Sequence, residues 1–589
     1  MQRQESNYSD MQSDLKRDMY ATNQSRKIQT WKSSAGNAHT RVFAEYTAEA
    51  PEEPKQIHNA WTYLIGIIMC MGAAACTYFE GLRADDDPSP DSLPSHLDGY
   101  DTGFFGGTLA LDSFVRDFKL DERGSNTSAN LVSLFQGGSF FGAGLQLPLT
   151  EKFGRKYTIL FANVIFMASA FAQTFAHGSV EVFMVGRFLG GFAVGFLSLI
   201  IPVYLAEFSP PSIRGRLVGF FDIFIQVGTL VGFWINYSID TTLPSNTFQW
   251  QLPVFVQFFP ATLLMAAFFV PESPRWLMGK NRYDDALKAL CSIRRLPADH
   301  AYIQYEIKMT QDAVETERAV RGDASLWGLI KELALSSGHR KRVGLGLALI
   351  FFKTFSGVQA VNYYSPRIFK QLGFNGTKNS LFATGIYGTV KFVGTLIFGL
   401  FVVDRAGRRW PLIIGSIGLS LCLFYIGGYL TAMGPRDGTQ PISKGDYTAI
   451  VAIFLYATWY CFGWNSVPLT LISEIFNLRY RTISMTICLM WQWLCTFAIV
   501  RIMPIALDNI TTKTYFLFGS IFLCAAPFVY FFIPETKKLS LEYLDRLFDG
   551  PDAADNHMTS RNDVEQVAVP KSEWKPEMEH AEGLPPVKE

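Results

Sequence analysis

The chain has 589 residues, 49% of them hydrophobic and 15% aromatic, with 50 Phe and a formal net charge of zero. A soluble chain of this length divides into domains whose polar residues are spread throughout; here charge is confined to residues 1–59, a block near 271–342 and the tail after Pro534. Segregated blocks with a neutral total exclude a nucleic-acid-binding surface, and eight scattered cysteines, several inside apolar runs, exclude a disulfide or zinc framework.

Residues 1–56 are polar and charge-mixed, which predicts a disordered cytoplasmic N-terminus with no cleavable signal peptide. From Trp61 to Phe79 the chain turns apolar and a first membrane crossing begins. It runs into an insert, 80–96, rich in carboxylates and proline, that hydrocarbon would not accept. Joining 63–75 directly to 97–111 would make one helix with Asp101 near its middle. The insert is therefore either a loop between a membrane-dipping piece and the helix proper, or residues of a retained intron. Flanks that match one helix favour the intron, and transcript sequencing decides it.

Further crossings are predicted at 128–149, 157–176, 181–206, 214–237, 252–271, 343–365, 379–403, 409–432, 447–472, 482–506 and 514–533, since about 20 apolar residues span a bilayer. That makes twelve. Trp250, Trp276, Trp410 and Tyr515 fall near helix ends, as interfacial anchors do. Basic loops at 151–156, 214–216, 405–409 and 479–481 share one side if helices alternate, which puts both termini in the cytoplasm. The sequons at Asn126, Asn375 and Asn509 fall on the other side.

The chain repeats itself. Glu151-Lys-Phe-Gly-Arg155 echoes Asp404-Arg-Ala-Gly-Arg408; Glu207 before Arg214 echoes Glu474 before Arg481; Pro271-Glu272-Ser273 echoes Pro534-Glu535-Thr536. Two parallel six-helix halves are the plan of a rocking transporter with a midplane site. The predicted fold is an all-α membrane protein of twelve transmembrane helices in two bundles, 57–271 and 343–533. A helical intracellular linker at 272–342 joins them, and a cytoplasmic tail, 534–589, follows. Asp101 and Arg187 each stand among glycines and apolar residues inside these runs. A lone charge in hydrocarbon is costly, so such residues pair and mark an ion path. They read as a proton site and its partner, or else as a buried structural ion pair. No nucleophile–base set or metal-ligand cluster stands out, so no enzyme, metal or cofactor is expected.

These motifs resemble the sugar porter family of the major facilitator superfamily, in its fungal hexose, quinate and galacturonate branch. The likeness is carried by Gly99-Tyr-Asp101-Thr-Gly103, Pro202-Val-Tyr-Leu-Ala-Glu207, Pro271-Glu-Ser-Pro-Arg-Trp-Leu277, Ser356-Gly-Val-Gln-Ala-Val-Asn362-Tyr-Tyr-Ser365, Asp404-Arg-Ala-Gly-Arg-Arg409 and Pro534-Glu-Thr-Lys537. The resemblance implies alternating access driven by protons, with Glu151, Arg155, Glu207, Arg214, Glu272, Asp404, Arg408, Glu474, Arg481 and Glu535 as gating salt bridges.

It also implies a cavity lined by Asp222, Gln226, Lys353, Thr354, Gln359, Asn362, Tyr363, Lys391, Gln492 and Trp493. Here the chain departs from glucose porters. Their Gln-Gln pair in the seventh helix becomes Lys353-Thr354, the Asn of their Ser-Gly-x-Asn motif becomes Gln359, and their fifth-helix Gln maps to Asp222. Leu469 stands where many have Trp. An ammonium only donates hydrogen bonds and carries full charge, which suits a carboxylate. The expected substrate is thus a sugar acid or hydroxy acid such as galacturonate or quinate, unless Lys353 pairs with an acid of the chain and the substrate is a neutral hexose or pentose. Expected partners are that small molecule, protons and the lipid bilayer of the plasma membrane, with the chain a monomer. A facilitator, or a non-transporting sensor on the same fold, is the alternative.

Overall fold

The structure, a computed structural model, describes residues 54, 60–74, 99–210, 212–322, 325–374, 376–402, 406–434, 443–476, 479–510 and 512–535. The predicted N-terminus but for Pro54, the insert 80–96, Asp404, Asn375 and the tail beyond Glu535 lie outside this set, as do the side chains of Arg214 and Asp222. All regular structure among the described residues is helical.

The first half holds α1 (Ala60–Ala74), α2 (Gly99–Thr108), α3 (Ser125–Phe153), α4 (Arg155–Thr174), α5 (Val180–Phe208), α6 (Arg214–Thr242), α7 (Thr247–Val256) and α8 (Phe258–Leu264). Four linker helices follow: α9 (Pro274–Gly279), α10 (Tyr283–Arg294), α11 (Ala301–Arg321) and α12 (Leu326–Leu335). The second half holds α13 (Ser337–Thr354), α14 (Val358–Gln371), α15 (Thr377–Ile397), α16 (Arg409–Met433), α17 (Lys444–Trp459), α18 (Val467–Ile475), α19 (Arg481–Asn509) and α20 (Lys513–Phe532). Broken crossings counted once, this is the predicted twelve-helix plan, and α1 and α2 both pack along α6, as two parts of one crossing would.

Eight helical stretches among the described residues are long and apolar enough to cross a bilayer. The other crossings miss that test for physical reasons. α1, α2, α17 and α18 are each short pieces of a broken crossing. α3 and α6 are diluted by polar residues turned inward: Gln136, Ser139 and Gln146 on one, Gln226, Thr229 and Asn236 on the other, all buried.

Three crossings predicted as single helices are interrupted. In the sixth, Pro260 has no N–H for the carbonyl four residues back, and the helix breaks between Val256 and Phe258. In the seventh, α13 and α14 are separated by 355–357, where Gly357 takes φ +82°, a conformation open to glycine. In the tenth, a π-turn, Tyr460–Trp464, precedes α18, whose Pro468 removes another donor. A second π-turn, Phe398–Val402, ends the eighth crossing.

α3 and α5 cross with backbones touching. A β-carbon on Gly191 would lie 1.8 Å from the Phe135 carbonyl oxygen, and one on Gly138 2.1 Å from that of Phe188. Small residues supply this approach where lipid offers no hydrophobic drive between helices. The halves meet along α3 and α19, and again on the side away from the basic loops. There a β-carbon on Gly106 would lie 2.5 Å from the Tyr363 carbonyl oxygen, and Trp234 Nε1 donates to Thr389 Oγ1 at 3.2 Å.

Arg294 of α10 is buried, pairs with both Glu306 oxygens at 2.9 and 2.5 Å, and donates through Nη1 to the Phe208 carbonyl at 3.1 Å. Arg342 of α13, also buried, donates to the Ile475 carbonyl at 3.1 Å. The linker is thus fastened to the C-terminus of α5, and an equivalent arginine caps α18. Trp250 is not the interfacial anchor its position suggested. It is fully buried against Phe114, Phe118 and Phe183, and donates to Asp117 Oδ2 at 2.9 Å. Burial raises the Asp117 carboxyl, but bonds from Trp250, Thr247 and Arg116 outweigh it and hold the group below its ordinary range.

Candidate functional site

The close α3–α5 crossing fixes Arg187, and α2 delivers Asp101 to it. Arg187 is wholly buried and Asp101 is 6% exposed. The guanidinium forks onto both carboxylate oxygens, with Nη1 on Oδ1 and Nη2 on Oδ2 at 3.0 Å. Its Nε donates to the Leu131 carbonyl at 3.1 Å, and the Phe105 and Phe135 rings flank it at 3.9 and 4.5 Å. Both ring faces and three of the five N–H donors of the cation are used, and of these partners only Asp101 can take up a proton.

A small cavity of about 330 Å³, counting its solvent-open part, lies between the halves. α2 and α6 line it with Thr102, Ile225, Gln226 and Thr229; the second half adds Val358, Gln359, Asn362, Lys391, Tyr460 and Asn465. Asn362 Oδ1 accepts from Lys391 Nζ at 3.4 Å and from Tyr387 Oη at 3.2 Å, and its amide nitrogen donates to Gln359 Oε1 at 3.2 Å. Gln226 Oε1 is buried with no hydrogen-bond partner among the described residues.

The predicted lining divides. Gln226, Gln359, Asn362 and Lys391 share the cavity. Lys353, Thr354 and Gln492 are buried but are not among its lining residues. Trp493 offers no face to the cavity: it is fully buried in the apolar cluster of Phe135, Ala143 and Leu489. Tyr363 turns to the ion pair, with Oη accepting from Gln136 Nε2 at 2.8 Å and reaching Asp101 Oδ2 at 3.4 Å. Asn465, Tyr460 and Thr102 were not anticipated. Thr102 beside Asp101 was the available signal; the π-turn that aims Tyr460 and Asn465 leaves none in the sequence.

The charges at the helix ends form two matching clusters. Arg155 Nε and Nη2 hold Glu207 at 3.0 and 2.8 Å; Arg408 Nε and Nη2 hold Glu474 at 3.3 and 3.1 Å. Glu272 accepts the backbone N–H of Arg155 at 3.0 Å and of Lys156 at 3.1 Å; Glu535 accepts those of Arg408 and Arg409 at 3.0 and 3.2 Å. These carboxylates sit on helix N-termini, where orphan donors and the dipole favour an anion. Burial nevertheless pushes the Glu272 carboxyl above its ordinary range, opposed by those N–H donors. Ser273, unforeseen as a member, donates to Glu207 Oε2 at 2.6 Å. Glu151 gives its backbone carbonyl to Trp276 Nε1 at 3.3 Å, and Arg481 opens α19. Each of these Arg–Glu pairs lies within one half.

Residues 91–548 match the family described as sugar (and other) transporter. A probable quinate permease of Neosartorya fischeri is 40% identical over 466 residues, 78% of this chain and 86% of that one. The quinate permease of Emericella nidulans is 38% identical over 465 residues, 78% of this chain and 87% of that one. The proton:xylose symporter XylE of E. coli, bound to 6-bromo-6-deoxy-D-glucose, matches with a TM-score of 0.65 at 25% identity, over 83% of this chain and 99% of its own.

Proposed function

Because this chain belongs to the sugar transporter family of the major facilitator superfamily, we propose that it is a proton-coupled symporter for a hydroxylated carboxylic acid of the quinate kind. It is a multi-pass membrane transporter of the sugar-porter type, not an enzyme.

The observation that carries the substrate reading is Lys391. Among the described residues lining the cavity it has the only charged side chain, set among the amides of Gln226, Gln359, Asn362 and Asn465. Amides donate and accept, so they serve ring hydroxyls; an ammonium serves a carboxylate. The buried Gln226 Oε1 supplies an acceptor for one such hydroxyl. Lys391, rather than Lys353, takes the acid-recognising role in this reading. The names of the permease relatives agree with it.

The mechanism follows from the two bundles. The cavity opens alternately to either face as the halves rock. The basic loops support a cytoplasmic side for the Arg155 and Arg408 clusters and for both termini, and the membrane in this reading is the plasma membrane. The clusters keep the inner helix ends of each half together, so each half moves as a block. Protonation of Asp101 releases Arg187 and permits the return step.

Uptake of labelled quinate, galacturonate, glucose and xylose in a transport-null yeast, with and without an uncoupler, tests this. Quinate uptake should be saturable and uncoupler-sensitive. Lys391→Gln should raise the KM for the acid about tenfold or more, as loss of a charge-assisted contact does. Uptake of glucose or xylose that excess quinate does not compete against would overturn the reading.

A further inference from the structure

Tyr363 belongs to the second half, yet its hydroxyl serves the first. It is 1% exposed. Oη accepts from Gln136 Nε2 of α3 at 2.8 Å, lies 3.4 Å from Thr102 Oγ1 of α2, and meets Asp101 Oδ2 at 3.4 Å. A phenol has one hydrogen. With Gln136 filling an acceptor site, that hydrogen is directed to the Asp101 carboxylate. A protonated Asp101 is a poorer acceptor and itself a donor, so the contact weakens or reverses.

The next residue back in the chain, Asn362, faces the cavity and accepts from Lys391 and Tyr387. α14 therefore carries a group that senses the proton site and one that lines the cavity on adjacent residues. This helix joins α13 through Gly357, whose φ of +82° is costly for any residue with a β-carbon. The break gives α14 a pivot. The charged and titratable groups facing Asp101 among the described residues are Arg187 from α5 and Tyr363 from α14; α3 brings the uncharged Gln136, and α6 packs through Thr229.

We propose that Tyr363 is a positioning residue for symport: its hydroxyl holds α14 against the ionised Asp101 and releases it when the proton binds, so proton binding sets the cavity wall that carries Asn362. No covalent step is involved. The proposal rests on the symport reading.

The test uses full-length protein in liposomes, reading protons moved per labelled quinate and the pH profile of uptake. Tyr363→Phe keeps the ring and removes the hydroxyl. Its proton-to-quinate ratio should fall about fivefold, the factor carried by one such hydrogen bond, and its pH profile should flatten. A ratio equal to wild type overturns the proposal. If Tyr363→Phe does not insert, Gln136→Leu, which removes the donor orienting the hydroxyl, is read the same way, with the same overturning result. A wild-type protein that carries quinate without protons overturns the symport reading and this proposal together. Wild-type coupling with an equally coupled variant overturns only this one.

Discussion

A β-carbon on Gly154 would lie 2.4 Å from Oε2 of Glu272. The glycine, at φ +95°, holds a backbone shape that side chains disfavour and leaves room for the carboxylate capping the next helix. Gly407, at φ +75°, repeats the arrangement, with Glu535 Oε2 at 2.8 Å from its virtual β-carbon. Gly154→Ala should cost about 1–3 kcal/mol and Gly407→Ala somewhat less. Thermal unfolding of the purified variants checks this. An alanine variant as stable as wild type would show that the carboxylate moves aside freely.

Arg155 and Glu207 should be energetically coupled. A double-mutant cycle with Arg155→Met and Glu207→Gln should give about 0.5–3 kcal/mol of interaction, because the pair is bidentate and half-buried. The Arg408–Glu474 pair, with longer contacts, should give less. Denaturation of the four proteins in each cycle provides the numbers, and strict additivity would remove the clamp.

Asp101→Asn should abolish accumulation of substrate against a gradient while leaving exchange. The amide cannot carry the proton, yet it still offers Arg187 one acceptor. Uptake under an imposed pH gradient, set beside counterflow, separates the two activities. Full active uptake by this variant would exclude Asp101 as the proton carrier.

Stability should fall on acidification through Asp117. Its folded-state carboxyl titrates below the ordinary range, so the ionised form contributes stability above its unfolded value, and that contribution is lost as pH falls through the folded value. The advantage of wild type over Asp117→Asn in melting temperature should be full near neutral pH and shrink as the solution is acidified. An advantage that grows in acid would reverse the assigned sign.

Arg294→Gln should loosen the linker from α5, and Arg342→Gln should uncap α18. Each loses a buried charge-assisted bond to a helix-end carbonyl, worth about 1.5–3 kcal/mol. Hydrogen exchange at the C-terminal turns of α5 and α18 should rise selectively. Unchanged protection there would mean the carbonyls find other donors.

Much of this arrangement was legible in the sequence. Charge segregation gave the membrane spans, and the repeated Gly-Arg and Glu motifs anticipated two clusters that do form with matching bonds. Asp101 and Arg187 were paired because each was the lone charge in its stretch. What the sequence hid was side-chain direction. The family resemblance places Tyr363 and Trp493 in the lining but does not say which neighbour they meet; one turns to the ion pair and the other to apolar packing. Trp250 looked interfacial because its place near a helix end was visible, while the three phenylalanines that cover it come from distant segments. Lys353 stands out in the sequence because it breaks a motif, with Lys391 as a second cation, but only Lys391 lines the cavity, because access depends on where the seventh helix breaks.

The π-turn at Tyr460–Trp464 reaches beyond its own crossing. Successive residues of an α-helix are rotated by about 100°, and a π-turn accommodates one residue more than the regular count. Past Tyr460, the azimuth of each side chain is therefore offset from any heptad or helical wheel drawn from α17. A one-residue deletion there would restore regularity and leave Asn465 at about its present azimuth, whereas regularising the turn with no residue removed would swing Asn465 by about 100° away from the cavity. The lining of this crossing thus depends on the π-turn and the residue count together: either one altered alone would redirect every side chain beyond it, with each lining residue left chemically the same.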